Sequence, residues 1–176
     1  FIDDGEDQPE PTEVNEIIDF AVAKYKVNVN RIYITGFSLG GGATWDYAGA
    51  SSANANRIAA IVPVAGFSQH SDNQGQIMGE ADLPVCATHN NGAPTANVSR
   101  TLLYIDSINF YTPTPLAKAT IFISGLHDEV ITYAPTFEEH GRNLYEWMLQ
   151  YQRANVALPV SLSAYKATAV GSAVSV

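Results

Sequence analysis

The stretch Arg31-Ile32-Tyr33-Ile34-Thr35, running without a linker through Gly36-Phe37-Ser38-Leu39-Gly40 into Gly41-Gly42-Ala43-Thr44-Trp45, constrains this chain more than any other. The first five residues are rich in β-branched and aromatic side chains and read as a buried strand. The last five read as a helix packed closely on a sheet. Between them stands G-x-S-x-G, a passage so short that the backbone must turn sharply, which its glycines permit. A serine on such a turn projects its hydroxyl from the sheet edge. The helix start offers free N–H groups, led by that of Leu39, to a developing negative charge. About 0.06 matches to the bare pattern are expected by chance at this chain's Gly and Ser frequencies. The flanking strand and helix are therefore what make it a nucleophile elbow.

The rest of the chain supplies a setting of the same kind. Thr12 is read as the cap of a helix with acid at Glu13 and Glu16 and an apolar stripe at Val14, Ile17, Ile18, Ala21 and Tyr25. The elbow helix is expected to run to about Gly49 and to end in the Ser/Ala/Asn stretch 51–56. A second strand is read over 58–66, with Pro63 placed in a bulge because it removes a ladder donor. The polar stretch 67–80 reads as a loop, 83–88 as a third strand, and 98–108 as a helix with Leu102, Leu103, Ile105 and Ile108 inward. Residues 119–123 read as a fourth strand, and 137–151 as a long helix with Leu144, Trp147, Met148 and Tyr151 facing the sheet. Apolar strands alternating with helices predict an α/β chain: about four parallel strands with flanking helices, covered on both faces as a three-layer α/β/α sandwich.

Bulk properties narrow the partners. The net charge of −9 and the pI near 4.7 argue against nucleic acid or an anionic membrane surface. No apolar run approaches the roughly 18 residues of a membrane span, and no segment reads as a signal peptide. The single Cys86 lies in an apolar run and reads as an inert core thiol. No His, Asp or Glu cluster has metal-ligand spacing, so neither metal nor cofactor is implied.

A serine is a weak nucleophile until a base takes its proton, and the base needs an orienting acid. His127 follows the fourth strand at once, where a loop residue can reach back over the elbow, and is the candidate base. His89 reads as a structural residue capping the third strand, His140 as part of a solvated helical face, and His70 as surface. The acid is harder to place. The loop after the third strand, 89–97, contains no carboxylate, and Asn91 there is a poor partner for an imidazolium. Asp128 and Glu129 adjoin the histidine in sequence and are expected to point away from its ring, as the neighbours of a histidine usually do, while Asp106 and Asp82 are expected at the wrong end of the sheet. Asp72, in the loop after the second strand, is the candidate that topology leaves.

With Ser38, His127 and the strand order in place, the chain resembles the α/β-hydrolase superfamily. More narrowly it is similar to secreted bacterial esterases of the polyhydroxybutyrate-depolymerase and feruloyl or acetyl-xylan-esterase kind, also described as prolyl-oligopeptidase-like. The resembling stretches are 25–33 leading into Gly36-Phe37-Ser38-Leu39-Gly40-Gly41-Gly42, then 59–66, Leu83-Pro84-Val85 to His89, and Gly125-Leu126-His127-Asp128 followed by Tyr145-Glu146-Trp147. The resemblance implies Ser38 as nucleophile and His127 as base. It also implies an aspartate in a pattern like H-x-x-x-D-P, where this chain has Ala93 before Pro94. It implies further strands ahead of the elbow, one of whose loops supplies the second oxyanion donor. Residues 1–153 are accordingly expected to form the C-terminal part of a hydrolase domain. Residues 154–176 are expected to be a linker and the start of a β-rich domain, similar to those that follow exported bacterial enzymes, which implies a secreted or cell-surface protein.

The resemblance thus implies hydrolysis of carboxylic esters, such as acyl groups on plant polysaccharides, through an acyl-enzyme, with a small-molecule or polysaccharide-linked ester as the partner. Two alternatives stay open. One is a binding module that kept the elbow and lost its acid, which Ala93 favours; the other is a serine peptidase.

Overall fold

A computed structural model of the protein describes residues 8–92, 97–123, 126–127, 132, 138 and 141–153. Helix α1 (Pro11–Lys24) leads into strand β1 (Tyr33–Phe37), then helices α2 (Leu39–Gly49) and α3 (Ser52–Arg57). Strand β2 (Ala60–Val64), α4 (Asp72–Glu80), β3 (Cys86–Asn90), α5 (Val98–Phe110), β4 (Lys118–Phe122) and α6 (Leu144–Met148) follow. The four strands are parallel and lie in the order β1-β2-β3-β4. Because that order advances one way across the sheet, right-handed crossovers carry every connecting helix to the same face.

Side-chain alternation along the strands divides the core accordingly. One cluster joins Ile61, Val85 and Ala87 of the sheet region to Trp45, Tyr47, Met78, Tyr104 and Ile108 of α2, α4 and α5, with Val14 and Ile18 of α1 against it. The other joins Ala60, Val62, Val64 and Cys86 to Leu144, Trp147 and Met148 of α6, with Tyr151 packed against them. The expected three-layer α/β/α arrangement is therefore present. Trp45 stacks on Tyr104, ring centroids 4.3 Å apart and 3° from parallel, which fastens α2 to α5.

Several local expectations change. Pro63 makes no bulge: the pairs Ile61↔Val85 and Val64↔Thr88 keep one register, so the missing N–H interrupts the ladder to β3 without inserting a residue. On its other side Pro63 stays paired with Gly36. The stretch read as a loop contains α4, capped by Ser71, whose side chain accepts from the Gln74 N–H. Likewise α3 occupies the stretch expected only to end α2, with Ser51 as its cap. The first helix begins at Pro11 rather than after Thr12, and the Glu13 carboxylate accepts the Glu10 N–H at 2.8 Å. Leu102 and Leu103 are exposed, because the buried stripe of α5 is Thr101, Tyr104, Ile105 and Ile108. The last helix starts at Leu144, where Asn143 and Glu146 exchange backbone and side-chain hydrogen bonds in a capping box.

Residues 149–153 strap the N-terminal end of the sheet. The Tyr33 hydroxyl donates to the Tyr151 carbonyl at 2.8 Å, and the Arg153 N–H to the Asn30 carbonyl at 2.9 Å. The Arg153 guanidinium donates to the carbonyls of Ile58, Ala81 and Ala55 at 2.5, 2.8 and 2.6 Å. Those carbonyls belong to the ends of α3 and α4, so one cation satisfies two helix C-termini. Cys86 is buried in the sheet. Residues 154–176 lie outside the described residues, as does the proposed second domain.

Candidate active site

The strand expected to end at Thr35 runs two residues further, so Ser38 follows directly on Phe37 of β1 and is the residue preceding α2. Its backbone sits at φ 56° and ψ −114°, a strained conformation for a residue with a side chain. Packing on both sides holds it there. The Ser38 N–H donates to the Val64 carbonyl at 3.0 Å, while its carbonyl accepts from Gly42 at 2.9 Å and Phe67 at 3.1 Å. The glycines are steric necessities at two positions. A Cβ on Gly36 would land on the Gly40 carbonyl, and one on Gly41 would come within 2.6 Å of the Val64 carbonyl.

The elbow also frees the hydroxyl. A serine before a helix normally accepts from a first-turn N–H, but Ser38 makes no such bond. Its Oγ lies instead 2.7 Å from Nε2 of His127. Leu39, the first residue of α2, has an N–H that the helix itself does not satisfy.

Bringing His127 to Ser38 requires a long reach. The two follow β1 and β4, the opposite edges of the described sheet. Three interstrand steps span about 14 Å, and five extended residues from Phe122 span at most about 17 Å. That reach, with the two side chains added, is enough to bring the imidazole to the serine. Asn90, buried at the end of β3, supports the crossing: its side-chain amide donates to the Leu126 carbonyl at 2.6 Å. Phe37 lies against the imidazole on the other side, ring centroids 4.9 Å apart and 32° from parallel. Sequence reasoning missed both residues, although Phe37 is the second position of the motif and Asn90 stands in the loop searched for an acid.

The acid remains unassigned. Nδ1 of His127 is buried and has no hydrogen-bond partner among the described residues. The structure does not bring Asp72 to it. Asp72 occupies the first turn of α4, its side chain 97% exposed, and its carboxylate lies 3.8 Å from Nε2 of His70. The cause is the anchoring of the preceding loop: the Ser68 hydroxyl donates to Asp46 at 2.6 Å and lies 2.9 Å from the Tyr104 hydroxyl. Ala93, where the resemblance implies an aspartate, lies outside the described residues, as do Asp128, Glu129 and His140.

The other described histidines have different surroundings. His89 is buried, its Nδ1 2.9 Å from the Thr101 hydroxyl of α5. His70 is more enclosed than a surface residue, its ring edge-on to Tyr104 at 5.0 Å. Leu39, Phe67 and Leu126 are exposed apolar side chains on the backbone segments that meet at the elbow and the histidine.

No protein-family model matches the chain, and no curated protein matches it. Solved structures do resemble it. A thermostable esterase superposes with a TM-score of 0.62 at 21% identity, over 81% of this chain and 36% of its own. The acylaminoacyl peptidase of Pyrococcus horikoshii gives 0.53 at 16%, over 70% and 24%. The esterase PE8 gives 0.54 at 12%, over 68% and 53%. At such identities the likeness is one of fold, and the fold is that of the α/β-hydrolases. The chain spans between about a quarter and just over half of the length of these three proteins.

Proposed function

We propose that this chain carries the nucleophile and base of a serine hydrolase that cleaves carboxylic esters. The observation that carries the reading is the 2.7 Å contact between Ser38 Oγ and His127 Nε2, made by a serine held at positive φ between a strand and a helix. Ser38 Oγ attacks the ester carbonyl while His127 Nε2 takes its proton. The carbonyl oxygen becomes an oxyanion that the Leu39 N–H faces. Collapse of the tetrahedral species breaks the bond to the alcohol, which leaves with the proton from His127. Water, deprotonated by the same nitrogen, then attacks the acyl-serine, releasing the acid and returning the proton to Ser38.

A fluorophosphonate probe tests the assignment in the full-length protein. Labelling at Ser38, with hydrolysis of p-nitrophenyl acetate and loss of both in Ser38→Ala and His127→Gln, is the expected result. An unlabelled Ser38 with the ester untouched removes the reading.

The buried Nδ1 of His127, which has no hydrogen-bond partner among the described residues, favours a second reading, a non-catalytic relative that kept the elbow. In a serine protease, disabling the orienting acid costs about ten-thousand-fold in turnover. Under this second reading the probe leaves Ser38 unmodified while the protein remains folded.

A further inference from the structure

Beside the elbow lies a cation that no carboxylate among the described residues pairs with. Arg100 is the third residue of α5, half-buried, with its guanidinium carbon 5.0 Å from the centroid of the Phe67 ring. Three of the other four described arginines have close polar contacts. Arg153 caps two helices, Arg57 pairs with Asp19 and donates to Asn15, and Arg31 donates to the Leu149 carbonyl. For the Arg100 side chain, no carboxylate and no hydrogen-bond acceptor stands within bonding distance among the described residues. That is unexpected in a chain with 18 acidic and 9 basic residues. The four residues preceding Asn97, Ala93-Pro94-Thr95-Ala96, contain no acid either.

Helix stability does not explain the placement. A cation in the first turn of a helix opposes the macrodipole, whose positive end favours an anion there. Arg100 adds its charge to that end, beside an aromatic ring that is 42% exposed. Phe67 ties this cation to the elbow, because its backbone N–H donates to the Ser38 carbonyl at 3.1 Å. Arg100 is thus linked to the backbone of the proposed nucleophile through the ring and the main chain of Phe67.

We propose that Arg100 and Phe67 form a specificity subsite for a carboxylate borne by the substrate away from the scissile bond. The preferred substrates are then anionic esters, such as half-esters of dicarboxylic acids. This rests on the hydrolase reading above. The apolar part of the substrate lies along Phe67, and its carboxylate accepts from the guanidinium fork in a charge-assisted pair.

The test compares kcat/KM of the full-length protein on matched esters with and without a carboxylate. In one arm the carboxylate is in the acyl half (p-nitrophenyl hydrogen glutarate against p-nitrophenyl valerate). In the other it is in the alcohol half (4-acetoxybenzoate against phenyl acetate). The wild-type protein should favour the anionic member of one pair, which identifies the half that meets Arg100. In Arg100→Met that anionic-to-neutral ratio should fall by about tenfold or more, and Arg100→Lys should retain part of it. Added salt should reduce the wild-type ratio. No anionic preference in either pair, or a ratio that Arg100→Met leaves unchanged, overturns the subsite. If neither esters nor the fluorophosphonate probe react, the hydrolase reading has failed, and the subsite is judged by binding alone. NMR titration of the Ser38→Ala protein with 3-phenylpropionate should then show saturable shifts around Phe67, weakened at least tenfold by adding Arg100→Met; no binding, or equal binding, overturns it.

Discussion

The side-chain amide of Asn90 donates to the backbone carbonyl of Leu126, the residue before His127, at 2.6 Å. Asn90 closes β3, the strand beside β4, from which the histidine departs. It therefore acts on the imidazole through the main chain. Replacing it with alanine removes a backbone anchor one residue before the imidazole. We expect Asn90→Ala to slow both fluorophosphonate labelling of Ser38 and ester turnover by about 10- to 100-fold, the range associated with ångström-scale misplacement of a reacting group. KM should change little. An unaltered labelling rate would show that the histidine keeps its place unaided.

Asp72 leads to the opposite expectation. Its carboxylate is exposed and sits at a helix N-terminus beside His70. Asp72→Asn should change the labelling rate by no more than about twofold, as for an ordinary surface substitution. A loss of a hundredfold or more would mean that Asp72 serves His127 after all.

Arg153 is a stability determinant remote from the chemistry. Its guanidinium satisfies three backbone carbonyls at the ends of α3 and α4, and burial pushes its pKa down. Arg153→Met leaves those carbonyls without their charged donor. Urea denaturation should show a loss of about 3 kcal/mol. A loss below 1 kcal/mol would mean that water replaces the guanidinium at little cost.

Alkaline pH should weaken the fold through its buried phenols. Burial, and then the Asp46 carboxylate, push the Tyr104 hydroxyl well above its ordinary range; burial also raises Tyr47 and Tyr151. In the unfolded chain these groups ionise near pH 10, whereas the folded protein keeps them protonated beyond it. Their contribution is therefore complete below pH 10 and is lost as pH rises from there through the folded pKa values. Unfolding free energies measured at pH 8 and 10.5 should show a decline, and Tyr104→Phe should make it shallower. An identical slope in the variant would remove Tyr104 from the set.

Much of this arrangement was legible in the sequence, for reasons that differ from residue to residue. Ser38 was legible because a strand-to-helix turn this sharp needs Gly36 and Gly41 where they stand, and because both flanks carry strong secondary-structure signals. The helix α4 was not, because Gly75 and Gly79 make its sequence look like a loop. In the structure a Cβ at Gly75 would come within 2.6 Å of the Ser107 side chain, and one at Gly79 within 2.7 Å of the Ile108 carbonyl. These glycines permit the close approach of α4 and α5, a tertiary fact. Leu102 and Leu103 misled because they are more apolar than Thr101, whose buried hydroxyl answers His89. Asn90 stayed hidden because its partner is a backbone carbonyl, which has no residue identity to read. The acid was sought at Asp72 on topology alone; only the fastening of Ser68 shows where that loop goes.

The sheet order gives the Ser38–His127 contact a further meaning. It joins residues 89 positions apart and spans the full width of the described sheet, so it forms only when all four strands have taken their places. Contacts of such high sequence separation are slow to establish. Release of either outer strand is enough to break this one. The reactivity of one serine would thus double as a gauge of whether the whole sheet is assembled, sensitive to loosening at an edge that bulk helix content would not register.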